Sequence, residues 1–153
     1  MGASRIRVSK DKSEFVQALV SGREGTFQTY ADLLVFAALL GIKAQKRTPI
    51  DIASKNEPAP IGLDIFISRG YDRLIKLIAI AQTQDPAILS AYNPQSESER
   101  ITIFEEYANG GLTVLQEELR GAVDYTERLL LLLNAERFAE DIPSGEFDLT
   151  QFL

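Results

Sequence analysis

Arg5 and Arg7 alternate with Ile6 and Val8 near the start of the chain. On an extended strand successive side chains point to opposite faces, so both guanidinium groups share one face and both β-branched residues the other. A guanidinium carries parallel donors that match a phosphate or the major-groove acceptors of guanine. Lys10 and Lys12 follow at once, and Lys43, Lys46 and Arg47 form a second basic cluster ahead of Pro49. At Thr29 and Tyr30 the start of an apolar helix presents unpaired amides, a setting that holds phosphate. Arg5, Arg7, Lys10, Lys12, Thr29, Tyr30, Lys43, Lys46 and Arg47 are therefore the candidate DNA contacts. The plainer reading of each cation is a solvated charge on an edge or helix face.

Other chemistry is restricted by what the 153 residues lack. There is no cysteine and no histidine, which removes thiolate and imidazole nucleophiles, bases and metal ligands. The adjacent acids Glu105-Glu106 and Glu117-Glu118 fall on helical stretches, where neighbours diverge by about 100° and do not converge on one ion. They are expected to face water. Gly110-Gly111 lacks the preceding strand and the lysine of a phosphate loop. Tyr71, Tyr107 and Tyr125 lie beside apolar stripes and are expected in the core rather than in a base-stacking platform. No catalytic residue, metal or cofactor is expected, and the reading is a protein that is not an enzyme.

The elements that must position these residues are mostly helical. Arg5–Val8 predicts a short strand, and Ser9 caps a helix over about 10–20 with Phe15, Ala18 and Leu19 on one face. Thr29-x-x-Asp32 is an imperfect capping box ahead of a helix from Tyr30 to Leu40 that is apolar almost all round and is stopped by Gly41. So apolar a helix belongs in a core or a dimer interface, and self-association into a homo-oligomer is expected. Residues 55–60 read as an extended connector because proline disfavours helix just before it. Residues 61–67 fit either a strand or a short helix. A helix follows from Tyr71, and Asp85-Pro86 opens a short one. A long helical stretch from Ser96 or Ser98 to Leu119 contains Asn109-Gly110-Gly111, which either splits it or admits a closely packed neighbour. The last helix spans about 123–139. The first forty residues have the strand–helix–helix layout of a ribbon–helix–helix unit, whose strands pair between two copies and enter the major groove.

The fold class is thus mainly α, a compact helical domain with a short N-terminal strand. A single domain over 1–153 is expected, with a basic strand-helix-helix part (1–57), an acidic helical part (58–139) and an acidic tail (140–153). The first part holds nine basic against six acidic residues and the remainder seven against sixteen, within a net charge of −6. A sequence pI near 4.7 opposes nonspecific nucleic-acid binding by the whole molecule. The longest apolar run near the C-terminus, Leu129–Leu133, is far short of the ~20 residues of a membrane span. The N-terminus has no apolar signal core, so the cytoplasm is the expected compartment. Phe147, Leu149, Phe152 and Leu153 in the tail read either as a docking peptide or as a segment packed on its own domain.

Three stretches together resemble a bacterial family: Arg5–Lys12; Thr29–Asp32 with Leu34–Ala38; and Ile103–Leu112 with Leu115–Leu119. It is the Dnd-system-associated, or DNA phosphorothioation-associated, small protein family, type four, and the likeness spans residues 5 to 137. The resemblance implies a role in or beside a host-defence system that replaces a DNA phosphate oxygen by sulfur. It implies partners among the other proteins of that system, and it supplies no catalytic residues. The first forty residues are also similar to the start of a small DNA-binding component of such systems. Two functions follow: a non-enzymatic accessory protein touching double-stranded DNA through the basic part, or an acidic protein–protein adaptor with no DNA contact. A carboxylate-dependent metal nuclease is a third, and it requires at least two acids converging on one ion.

Overall fold

The computed structural model describes residues 4–21 and 25–141, and the side chains among them up to residue 138. The tail beyond 141, including the expected docking residues, lies outside the described residues. Strand β1 (Arg5–Ile6) leads through a 3-10 turn at Lys10–Lys12 into α1 (Ser13–Ser21) and then α2 (Tyr30–Lys43). Strand β2 (Ile61–Gly62) is followed directly by α3 (Leu63–Ser68), then α4 (Asp72–Thr83), a 3-10 turn at Pro86–Leu89, α5 (Pro94–Glu118) and α6 (Tyr125–Asp141). The architecture is mainly α, as the periodicity requires.

Local sequence accounts for most boundaries. Thr29 caps α2, its hydroxyl accepting from the Asp32 amide at 3.1 Å. Asp85 and Asn93 do the same for Ala87 and Gln95, each with proline at the first helical turn. Ser9 makes no capping hydrogen bond, and its turn is 3-10 before α1 begins at Ser13. On α1 the buried residues are Val16 and Leu19, and Ala18 is exposed. The ambiguous run 61–67 is both things in succession, a two-residue strand and a short helix.

The centre of the molecule is the antiparallel contact of α2 with α5. Gly41 does not stop α2, and Gly110-Gly111 does not break α5; all three glycines lie inside the helices and buried. A Cβ on Gly41 would overlap the Tyr107 carbonyl oxygen, one on Gly111 that of Ala37, and one on Gly110 that of Lys46. The missing side chains let the backbones touch, and packing overrides the low helix propensity of glycine. Leu33, Leu34, Ala37 and Ala38 of α2 are fully buried against Phe104, Ala108, Leu112 and Leu115 of α5. The core of a single chain therefore takes up most of this apolar helix, with Leu39 and Ile42 left exposed.

The expected ribbon is corrected in one respect. β1 pairs antiparallel with β2 of its own chain, Arg5 opposite Gly62 and Ile6 opposite Ile61. The pairing continues as the Lys10 amide donates to the Ile52 carbonyl and the Ser54 amide to that of Val8. On the other side, the Arg7 amide donates to a Glu105 carboxylate oxygen at 2.6 Å. Side chains alternate as the pattern demands, but Ile6 and Val8, 0% and 2% exposed, fill this chain's core rather than a dimer's. The Arg7 and Lys10 amides and the Val8 carbonyl thus find their partners within this chain.

Candidate functional site

The expected DNA contacts fall into separate places. Arg5 and Arg7 line an open cleft of about 570 Å³ between the N-terminal strand, the 91–94 loop and the first turns of α5, with Tyr92, Glu97, Thr102 and Glu105. Arg5 is exposed and has no side-chain partner among the described residues. Arg7 is held: its Nε and Nη2 donate to the two Glu105 oxygens at 3.0 and 3.1 Å. Glu105 is 3% exposed while the Arg7 side chain is 49% exposed. Hydrogen bonding to Glu105, then attraction to its charge, raises the Arg7 pKa further above its ordinary value. Tyr92 stands 96% exposed on the rim. Its loop is anchored from beneath by the buried Arg100, which donates to the Ile88 and Ser90 carbonyls at 2.6 and 2.9 Å.

Lys10 and Lys12 line a second cavity of about 600 Å³ with Asp11, Asp51, Thr48 and Asn109. Lys10 is exposed. The Lys12 side chain is 7% exposed, and its ammonium donates to Asn109 Oδ1 at 2.7 Å. Asn109 Nδ2 donates in turn to the Thr48 and Pro49 carbonyls at 3.1 and 3.3 Å. Burial, the larger effect, and the nearby charge of Lys46 lower the Lys12 pKa against the pull of Asp11. This lysine is a tie between the N-terminal turn, the 48–49 segment and α5.

The third cluster is paired along the acidic helices. Arg47 bonds Glu106 at 2.9 Å and lies over the Tyr107 ring at 5.7 Å. Lys46 sits 3.9 Å from Glu117, and Lys43 pairs with Glu136 of α6. Thr29 and Tyr30 lie at the opposite end of the 14-residue α2, some 20 Å from Lys43. That helix start already carries an anion. Burial alone would raise the Asp32 pKa, but hydrogen bonds with Tyr71, Thr29 and Arg69, and the Arg69 charge, hold the carboxyl below its usual range. Arg69 reaches it through two bonds of 3.1 and 2.8 Å.

The expectation for the acidic pairs changes with this geometry. Glu105 does not face water: it lies one turn after Ile101 and one before Asn109, on the stripe that α5 buries. That position was the signal for its role, and the adjacent Glu106 masks it. Glu106 and Glu117 meet arginine or lysine instead of each other. Among the described residues no group of three or more acids is placed to hold a metal ion. Tyr71, Tyr107 and Tyr125 pack against the core. No helix among the described residues is long and apolar enough to cross a membrane.

No curated protein and no solved structure matches the chain. A family description does, covering residues 5–152 and so both the Arg5–Arg7 strand and the α2–α5 contact. By that match the chain belongs to the family of DNA sulphur modification system-associated protein 4.

Proposed function

We propose that this protein is a non-enzymatic accessory adaptor of a DNA sulphur modification system, acting through contacts with the other proteins of that system rather than by gripping DNA itself. One observation carries the reading. Four of the seven cations expected to hold a phosphate backbone are engaged with carboxylates of the same chain: Arg7 with Glu105, Lys43 with Glu136, Lys46 with Glu117 and Arg47 with Glu106. A phosphate approaching any of them meets an adjacent negative charge, and displacing Glu105 would strand a buried carboxylate. The net charge of −6 acts in the same direction.

The Arg5 cleft favours a second reading. Arg5 and the exposed edge of Arg7 share it with Tyr92, and an arginine beside a bare aromatic ring can take a nucleotide by charge and stacking. One experiment separates the two. The purified protein is titrated by fluorescence anisotropy into plain and sulphur-bearing duplexes across a salt series, and in parallel into each purified protein of the system. The adaptor reading expects a protein partner and no duplex binding at low salt. Duplex binding that weakens linearly in log salt and disappears in Arg5→Glu would replace it with the DNA-contact reading.

A further inference from the structure

Helix α6 is apolar on two sides and covered on one. Leu129 is buried, and Tyr125 and Leu132 are half-buried against the body, with Tyr125 edge-on to Phe15 at 6.4 Å and Glu136 bonded to Lys43. These positions recur every three or four residues and define the inward face. The outward face carries Glu127, Leu130, Leu131, Asn134, Arg137 and Phe138. Leu130 is 57% exposed, Leu131 56% and Phe138 64%. So many large apolar side chains in one patch mark an interaction surface rather than scattered exposure.

We infer that this face binds the same face of a second copy of the chain, the two α6 helices lying antiparallel about a twofold axis near Leu132. The charges at its ends identify the occupant. Glu127 and Arg137 stand ten residues apart, about 15 Å along the axis, and neither has an ion-pair partner among the described residues. An antiparallel pairing centred on Leu132 brings Glu127 of each copy to Arg137 of the other, because both are five residues from the centre. It sets Leu131, one residue from the centre, beside the partner's Leu131 and Leu130 against the partner's Asn134. A parallel pairing would oppose like charges at both ends. A twofold interface repeats every contact, so one complementary pair of residues supplies two ion pairs.

The contact is small. A 17-residue helix is about 25 Å long and offers less than the ~800 Å² per partner of a standard interface, so the dimer forms with rising concentration. The reading is independent of any DNA or protein partner.

Sedimentation velocity of the full chain from low to high micromolar concentration is the test, with helix content followed by circular dichroism. The expected mass rises from the 17.0 kDa of one chain toward twice that value. Glu127→Arg and Arg137→Glu each place like charges together and weaken the dimer roughly three- to tenfold, since two exposed pairs are lost at once. The double reversal restores the wild-type constant. Leu131→Glu leaves helix content unchanged and the protein monomeric. A wild type that stays monomeric throughout overturns the inference and leaves the face to a different occupant. A dimer indifferent to Leu131→Glu, or single reversals that the double does not rescue, overturns the antiparallel α6 pairing.

Discussion

Arg7 and Glu105 decide whether the N-terminal strand is held by its own chain or free for another partner. Glu105 accepts three bonds from one residue: the Arg7 amide at 2.6 Å and two guanidinium donors at 3.0 and 3.1 Å. Removing one partner of a fully buried pair costs about 3–5 kcal/mol. Arg7 is half exposed, however, and pairs that water reaches are worth about 0.2–1 kcal/mol. In Arg7→Ala the backbone amide still serves Glu105, so the expected loss is about 1–2 kcal/mol. Glu105→Ala removes the acceptor of all three bonds, leaves a strand amide without its partner and opens space beside the core. It is expected to cost about 2–4 kcal/mol. Urea unfolding of the wild type, both single variants and the double variant measures these values, and the cycle should show a coupling of about 1 kcal/mol. An Arg7→Ala variant within about 0.3 kcal/mol of wild type, with no coupling, would refute the reasoning; that margin is the usual scatter of additivity. The guanidinium would then be unconstrained, and the case against DNA contact at Arg7 would fail.

Gly111→Ala tests the α2–α5 contact. Helix propensity alone favours alanine by about 1 kcal/mol, but the new Cβ overlaps the Ala37 carbonyl, so thermal unfolding should show a net loss of more than about 2 kcal/mol; a gain would place the helices further apart. Asp32 has a depressed pKa in the folded chain, so its stabilising contribution is present above the unfolded-state value and is lost as pH falls below about 4. Asp32→Asn should be less stable at neutral pH and show a flatter stability profile across the acid range, measured by urea midpoints from pH 7 to 3. Lys12 has the opposite linkage: its folded pKa is lowered by burial, so the unfolded state binds more protons between the folded value and about 10.4 and stability rises with pH there. That alkaline rise should be smaller in Lys12→Met, and an identical slope would mean the ammonium is solvated.

The sequence made the helices legible wherever caps and period agree. Thr29, Asp85 and the Phe104–Leu112–Leu115 stripe were readable because each depends on neighbours within a turn or two. What escaped depends on contacts between distant segments. Gly41 reads as a stop from local propensity, yet Tyr107, 66 positions away, makes glycine the residue that fits inside the helix. The alternation Arg5–Val8 fixed which side chains point inward, while the identity of the strand's partner, residues 52–62, lies in a connector whose prolines signal only extension. Glu105 sat on a visibly buried stripe, but a carboxylate there makes sense only once Arg7, 98 positions earlier, is known to meet it.

The charge asymmetry shows the same limit with a functional consequence. Summed along the chain, it describes a basic part joined to an acidic one, the layout of a DNA-binding arm on an acidic body. Folded, four cations from the first 57 residues are matched to carboxylates of α5 and α6. A segment's net charge says nothing of which charges face solvent, and long-range attraction for a polyanion depends on those that do. Among the described residues of the basic part, Arg5, Lys10 and Lys55 remain exposed without an ion pair, and Arg5 shares its cleft with the paired Arg7. A duplex that binds here must therefore use Arg5 without disturbing Arg7. For that reason Arg5→Glu, which leaves the fold's own ion pairs intact, discriminates between adaptor and DNA reader, whereas a variant at Arg7 confounds loss of contact with loss of the strand.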